Sequence, residues 1–399
     1  MSKNISSLGK SMTAGVTTPI LGAGGAIAKV AGDFQASMNQ VRVLTGATGD
    51  QFLALENQAK ELGATTQFSA SEAADAMAFM GATGYDTNQI MAAMPATLAI
   101  AAATTTDLGR AADLTTNIMQ GYGMTAEETG RATDILTKAF TTSNLGTDMN
   151  NLGSAFAYVG PVAKGVGYDF EETAAAIGFL GNAGYQGSKA GTILRGAIAN
   201  LSNPVGQTAE AVERLGLVTH DSSGQLLSMP DILAQLEAKG ATTADMLQLF
   251  GKTAGPGMVA LLGQGSDELR AYAEELGGVS EGFAGDIAAV QMEGFNGALK
   301  SLRSALEGLA IAIAQSGFLD FLTGLLEHAT GAVRGLTQLD PAILKVITII
   351  AGIAAAVGPA LVALGMMGGV MAGVGTALGV IGAIGAPVIA IIAGIAAAG

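Results

Sequence analysis

Apolar residues recur every three or four positions through most of the chain, in runs of ten to eighteen residues. This spacing places them on one face of an α-helix. Several runs begin with a short polar side chain followed three residues later by Glu, a pairing that caps the first turn of a helix. The pairs are Ser69 with Glu72, Thr125 with Glu128, and Asp169 with Glu172. From residue 33 to about residue 276, the pattern predicts an all-α, multi-helix core.

Breaks between the runs predict where helices begin and end. Asn203-Pro204 ends one helix and Asp340-Pro341 begins another, because proline lacks the N–H that a helix interior needs. Residues 217–227, in which two short apolar stretches flank Asp-Ser-Ser-Gly, predict a small β-hairpin.

Two short sequences occur twice in the chain. Phe79-Met-Gly-Ala-Thr-Gly-Tyr85 recurs as Phe179-Leu-Gly-Asn-Ala-Gly-Tyr185, and Gly109-Arg-Ala-Ala-Asp113 recurs as Gly130-Arg-Ala-Thr-Asp134. Both a true duplication and the convergence of similar helix ends in an alanine-rich chain explain them. No fixed period extends through the segment, so the sequence does not predict a solenoid of repeats.

A heptad pattern begins near the end of this core. Its apolar residues alternate three and four positions apart, which keeps one stripe of a helix facing a partner helix. They are Met292, Phe295, Leu299, Leu302, Leu306, Leu309 and Ile313. After a break at 315–317, the stripe resumes at Leu319, Leu322, Leu326, Ala329, Val333 and Leu336. The pattern predicts helix pairing, within one chain as a hairpin or between copies as a coiled coil, and we expect a homo-oligomer.

The end of the chain carries no formal charge. No Asp, Glu, Lys or Arg follows Lys345, which leaves 54 residues up to Gly399. Crossing a bilayer needs about 20 apolar residues, so two spans fit, for example 346–364 and 370–393. Small residues there are spaced to let helices approach closely in lipid. They are Gly365, Gly369, Gly373, Gly375 and Gly379. A buried helical bundle is the alternative, because Gly and Ala insert weakly into membranes.

Composition narrows the chemistry that is open to the chain. It has 399 residues, of which 58 are glycine and none is cysteine, so disulfides, thiolate nucleophiles and cysteine-ligated zinc are excluded. His220 and His328 lie too far apart for a His-Glu-x-x-His helix. The net charge of −14 disfavours a nucleic-acid partner, because phosphate binding needs clustered Lys and Arg. The first residues lack the leucine-rich core and cleavage site of a signal peptide.

Short catalytic motifs are present without their context. Residues 278–282 (Gly-Val-Ser-Glu-Gly) match the nucleophile elbow of serine hydrolases, but the residues before them have helical composition. Residues 251–253 (Gly-Lys-Thr) resemble the end of a phosphate-binding loop that lacks its first glycine. Glu171 and Glu172 are adjacent and diverge on a helix, which predicts a solvated face rather than an acid–base pair. We therefore predict no enzyme activity, no cofactor and no metal site.

Residues 61–85, from Glu-Leu-Gly-Ala-Thr-Thr to Gly-Ala-Thr-Gly-Tyr, closely resemble the signature of phage tail tape measure proteins. Further matching segments follow in order. They are 158–163 (Tyr-Val-Gly-Pro-Val-Ala), 181–192, 227–233 (Leu-Ser-Met-Pro-Asp-Ile-Leu), 249–252 (Leu-Phe-Gly-Lys), 304–309 (Ser-Ala-Leu-Glu-Gly-Leu) and the apolar 341–361. Ordered motifs of this kind are more specific than any single short motif.

The resemblance implies a helical protein in the lumen of the virion tail, which sets tail length during assembly and leaves the tube ahead of the DNA. Its apolar end would enter the host inner membrane on ejection. The tail tube protein, a tail assembly chaperone and baseplate or tail-tip proteins are the implied partners. The chain lacks the long polar helical arm and the peptidoglycan-cleaving domain of many relatives, which predicts a short ruler or a fragment.

Together these observations predict four segments. They are a small-residue segment at 1–32, a helical core at 33–280, heptad-patterned helices at 281–340, and an apolar, predicted transmembrane segment at 341–399. The competing hypothesis is a membrane-pore or toxin-like protein that uses its alanine- and glycine-rich helices directly.

Overall fold

A computed structural model describes residues 18–144, 148–293 and 295–318. The chain divides into two units, Gly32–Leu309 and a second unit whose described residues are 18–31 and 310–318. The described residues form α1 (Thr18–Thr45), α2 (Gly49–Thr65), α3 (Ala70–Ala82), α4 (Thr87–Ala103), α5 (Leu108–Tyr122), a 3₁₀ turn (Ala126–Glu128), α6 (Thr129–Thr142), α7 (Met149–Gly165), α8 (Phe170–Asn182), α9 (Ser188–Ser202), α10 (Gln207–Leu215), α11 (Met229–Ala238), α12 (Thr243–Gln264), α13 (Ser266–Gly277), α14 (Phe283–Gln291), α15 (Phe295–Ile313) and a π-helical turn (Ala314–Phe318). The predicted all-α class is confirmed for this part of the chain.

Two of the predicted helix starts are confirmed. The Ser69 N–H donates to the Glu72 carboxylate at 2.8 Å, and the Glu72 N–H donates to the Ser69 hydroxyl at 3.2 Å, which forms a capping box at the start of α3. The Thr125 N–H donates to the Glu128 carboxylate at 2.7 Å, at the start of the 3₁₀ turn. In both places, a local side chain satisfies an N–H group that the first helical turn leaves free.

The third predicted pair does not form a capping box. Asp169 precedes α8, but its side chain makes no capping hydrogen bond. The Glu172 carboxylate instead accepts a hydrogen bond from the Met229 N–H, at 2.6 Å, where α11 begins. A tertiary contact has replaced the local cap, and Glu172 joins α8 to α11.

The predicted chain breaks are observed where they fall in the described part. Helix α9 ends at Ser202, directly before Asn203 and Pro204. Helix α5 ends at Gly123, whose φ of 64° is a left-handed conformation that glycine adopts without strain. The helix start predicted at 340–341 lies outside the described residues.

Residues 217–227 form a tight turn rather than a full hairpin. One antiparallel bridge joins His220 to Leu226. The Asp221 carboxylate accepts hydrogen bonds from the N–H groups of Ser223 at 2.8 Å and Gln225 at 2.9 Å. These local bonds close the turn so early that the flanking residues pair only once.

Successive helices alternate between two layers. In the first layer, α3, α5, α7, α9 and α12 each pack on the next, and in the second layer α4, α6, α8 and α13 do the same. First-layer helices start at residues 70, 108, 149 and 188, and second-layer helices at 87, 129 and 170, so the interval is 38 to 42 residues. This is the arrangement of α-solenoids, in which each helical pair contacts its neighbours. The expectation that no period extends through the segment is wrong, because the backbone repeats while the side chains do not.

The sequence that ends in Tyr85 and again in Tyr185 forms the same turn twice. Gly84 and Gly184 have φ values of 97° and 86°, and the following tyrosine N–H donates to the carbonyl five residues earlier, at 3.1 and 2.8 Å. The preceding helices, α3 and α8, belong to different layers. A shared way of ending a helix therefore explains the likeness.

Small residues allow the layers to pack closely around a few aromatic rings. Tyr122, Phe156 and Phe170, from α5, α7 and α8, form a cluster with ring centroids 5.0 to 5.9 Å apart. A Cβ atom on Gly191 of α9 would lie 2.4 Å from the Ala155 carbonyl oxygen of α7, so this crossing requires glycine. Close crossings of this kind explain why the chain is so rich in glycine and alanine.

After α13 the chain turns back across the stack. Helix α14 packs on α4 and α6, far from its neighbours in sequence. Its start is held by Asp134 of α6, which is 3% exposed and accepts hydrogen bonds from the N–H groups of Gly282 and Ala284, both at 2.8 Å. Asp134 therefore caps a helix that begins about 150 residues later.

None of the described helices combines the length and the apolar character needed to cross a bilayer. The predicted spans 346–364 and 370–393, the five glycines from Gly365 to Gly379, and the second heptad stretch at 319–336 lie outside the described residues.

Candidate assembly interface

One face of α15 is held against the turn between α2 and α3. The Ser304 hydroxyl lies 2.8 Å from the Phe68 carbonyl oxygen and also contacts the Gly63 carbonyl oxygen. The Ser71 N–H donates to the Glu307 carboxylate at 3.1 Å. These polar contacts fix the rotation of α15 about its own axis.

Another face of α15 is apolar and exposed. The exposed fractions of Leu299, Leu302, Leu306 and Leu309 are 53–57%, and that of Ile313 is 37%. All five belong to the predicted heptad stripe, which we call the seam. A contiguous apolar surface on a folded protein usually marks an interaction site.

The heptad positions account for both faces. With the seam at positions a and d, position f is occupied by Gly297, Ser304 and Ile311, and all three are buried. Position g, beside the seam, carries alanine where coiled coils usually have charged residues. These are Ala298, Ala305 and Ala312, all exposed. The outward face is therefore apolar beyond the leucine stripe itself, and its small residues leave room for another helix.

Two predicted seam residues differ from the other five. Met292 ends α14, before α15 begins, and is half-buried. Phe295 is the first residue of α15, and its side chain lies outside the described part of the molecule. The seam on α15 therefore begins no earlier than Phe295.

A second candidate is a polar groove between α6, α8, α11 and α13. Arg270 of α13 pairs with Asp231 of α11 at 2.8 Å, and Arg131 of α6 pairs with Glu171 of α8. The Ser228 hydroxyl and the Arg270 guanidinium hold the pKa of Asp231 below its usual range. Across the described ranges, no three His, Asp or Glu side chains are placed to hold a metal ion. The groove therefore works as a set of ion pairs that join helices.

Glu172 lies at the inner side of this groove. Burial raises the pKa of its carboxyl to about 7, and nearby Asp169 and Asp231 raise it further, while the Met229 N–H and Arg270 lower it. The sequence predicted a solvated side chain here. Nothing in the pattern separates Glu172 from its neighbour, because only the position of α11 decides which of the two carboxylates is covered.

The two catalytic motifs are structural elements in the fold. Residues 278–282 follow helix α13 instead of a strand, and Gly282, with φ of 83°, leads into α14. Residues 251–253 lie inside α12, where Gly251 has φ of 71° and kinks the helix. Neither segment has the strand-to-helix turn that its chemistry requires.

Comparisons with known proteins agree with the residues that carry the resemblance. A family model of phage-related minor tail proteins matches residues 56–255. The tape measure protein of Pneumococcus phage Dp-1 is 32% identical over 369 residues, which are 91% of this chain and 32% of that protein. The probable tape measure protein of Escherichia phage P2 is 28% identical over 351 residues, 84% of this chain and 42% of that protein.

This chain thus spans about a third to two fifths of the length of the curated relatives it matches. The matched region at 56–255 begins within α2 and ends within α12, so it covers both layers of the stack. No solved structure matches the chain.

Proposed function

Because this chain belongs to the phage tail tape measure proteins, we propose that it forms a folded helical part of the tape measure that sets tail length inside the tail tube. We propose further that several copies associate side by side through the seam. The observation that carries this second step is the exposed apolar face of α15, whose other side is already fixed to the core. The tail tube protein, a tail assembly chaperone and baseplate or tail-tip proteins are the proposed partners.

The strength of this association follows from the area that the seam offers. Complete burial of one leucine or isoleucine side chain contributes about 1.5–3 kcal/mol. The five seam residues on α15 are 37–57% exposed, so pairing adds roughly 3–8 kcal/mol per chain. That is similar to the entropic cost of bringing two proteins together, estimated at about 4–15 kcal/mol. We therefore expect weak association in dilute solution and stronger association when copies are held together in the tube.

Charged residues in the seam should abolish this association. We expect Leu302→Asp with Leu306→Asp to eliminate crosslinked oligomers of the concentrated protein, because two unpaired charges would be buried between helices. The matched control is Val218→Asp with Val290→Asp, two exposed apolar residues outside the seam, and it should give the wild-type pattern. Recovery of the same oligomer from the seam variant would mean that the seam pairs only within one chain.

We propose that the charge-free residues 346–399 enter the host membrane after the protein leaves the tail. Their support is the sequence itself, since 54 residues without a formal charge would present a large apolar surface to water. Co-purification with tail tube protein distinguishes this role from that of a free membrane-pore protein, which would not be found in tails.

Two arginines in this segment should block DNA delivery without changing tail length. Arginine near the middle of a span costs about 2.5–3.5 kcal/mol on insertion scales, so Ala354→Arg with Ala377→Arg should prevent insertion. The control places the same charges at Ala36 and Ala289, which are exposed in the folded part. Phage yield, tail length by electron microscopy and binding of the purified protein to liposomes are the measurements. Normal infection by the double variant would remove the membrane step.

A further inference from the structure

Residues 282–309, which we call the strap, bury very little of themselves. Among the strap residues with described side chains, only Ala284, Gly297 and Ser304 are buried, and all three are small. Helix α8 of the stack, by comparison, buries nine of its thirteen residues. Hydrophobic burial scales with the apolar area removed from water, so it stabilises the docked strap much less than it stabilises the stack.

Polar contacts near each end of the strap do most of the holding. At the first end, the buried Asp134 carboxylate accepts hydrogen bonds from the Gly282 and Ala284 N–H groups. Beside it, the Lys138 ammonium lies 5.7 Å from the centre of the Phe283 ring. Hydrogen bonds to an ionised acceptor are about twice as strong as those between neutral groups.

At the other end, Ser304 contacts carbonyl oxygens in the turn between α2 and α3, and Lys300 donates to the Gln67 side chain at 3.1 Å. Few contacts hold the strap, and they are concentrated at two places. Segments with little buried apolar surface open before the rest of a protein does.

From these observations we propose that the strap is a releasable element, the first part of the stack unit to detach when the chain is pulled or extended. Its release breaks the bonds to Asp134 and Ser304 and frees the f face of α15, while the pairing of helices within the two layers is kept. The proposal depends only on the contacts within Gly32–Leu309 and not on the proposed role in tails.

Hydrogen exchange of the full-length chain tests the first end of the strap. We expect α14 and α15 to exchange faster than α7 to α9, and Asp134→Asn to speed exchange of α14 by about tenfold while α7 to α9 keep the wild-type rate. The control is Asp113→Asn, the corresponding residue of the repeated Gly-Arg-Ala-x-Asp sequence, which pairs with Arg110 on the surface. It should leave α14 unchanged.

Ser304→Ala tests the other end and serves if Asp134→Asn fails to fold. It should speed exchange of α15, whereas Ser301→Ala, one turn away on the same helix, should not. Two results would overturn the proposal. One is protection of α14 and α15 equal to that of α7 to α9 in the wild type, and the other is acceleration by Ser304→Ala that spreads equally through the stack.

Discussion

Glu172 brings an ionisable group into the junction of α8, α11 and α13, where its charged form is poorly solvated. Its pKa of about 7 lies well above the ordinary value of 4.5. The folded protein therefore holds this proton more tightly than the unfolded chain does. The resulting stabilisation is complete below pH 4.5 and is lost as the pH rises toward 7.

Replacing this residue with an uncharged one should flatten that pH dependence. Between pH 4.5 and pH 7.5, we expect the free energy of unfolding of the wild type to fall by about 2–3 kcal/mol relative to Glu172→Gln. Glutamine keeps an acceptor for the Met229 N–H. Urea denaturation across this pH range is the measurement. Glu171→Gln removes the same charge from the ion pair with Arg131, and an equal pH dependence in the two variants would show that burial of Glu172 is not the cause.

Residue roles that depend on near neighbours were predictable, and those that depend on distant ones were not. The capping box at Ser69 needs only a partner three residues away, so the sequence contains its full description. Asp134 was visible only as part of a repeated motif, because its partners Gly282 and Ala284 are about 150 residues distant. No local pattern records that pairing.

At the scale of elements, the apolar spacing predicted the helices well but not their arrangement. Helix starts and stops are local signals, whereas the two-layer period depends on helix and turn lengths that vary by a few residues. Different side chains fill equivalent places in each pair, which hides the period from a search for repeated letters. The seam was predictable because its period of three and four lies within a single helix.

The kink in α12 illustrates an element that sequence reasoning noticed for the wrong reason. Gly251 attracted attention as part of an incomplete phosphate loop, but its left-handed φ of 71° bends a helix. The Leu249 carbonyl oxygen beside the kink accepts hydrogen bonds from the Asn200 side chain at 3.2 Å and the Thr208 hydroxyl at 3.1 Å. The glycine is therefore explained by the contact of α12 with α9 and α10.

For the whole molecule, stacking of neighbouring pairs means that one pair is removable. Deleting residues 149–187 takes out α7 and α8 and joins Asp148, which caps α7, to Ser188, the first residue of α9. Helix α9 then meets α5, and α13 meets α6, in the places that the deleted helices held. We expect the shortened protein to stay helical and folded.

The same deletion tests whether the stack remains folded inside tails. A folded stack should shorten the tail by at most about 10 Å, the usual distance between packed helices. An extended helix would shorten it by about 60 Å, at about 1.5 Å for each of the 39 deleted residues. Electron microscopy of phage carrying the deletion measures this, with circular dichroism of the purified variant as the control for folding. We expect the smaller change, and the larger one would mean that the core is drawn out in the tail.

The long sequence distance between the strap and its anchor points also sets an order of events during synthesis. Ser304 contacts Gly63, 241 residues earlier, whereas the stacked helices meet partners made within about one repeat of each other. Local contacts form quickly on a growing chain, and closure over a long separation is slow. Helices of the stack therefore have time to assemble while the ribosome is still adding residues, and α15 docks last. Each newly made copy displays its seam to other copies only after its own core is in place.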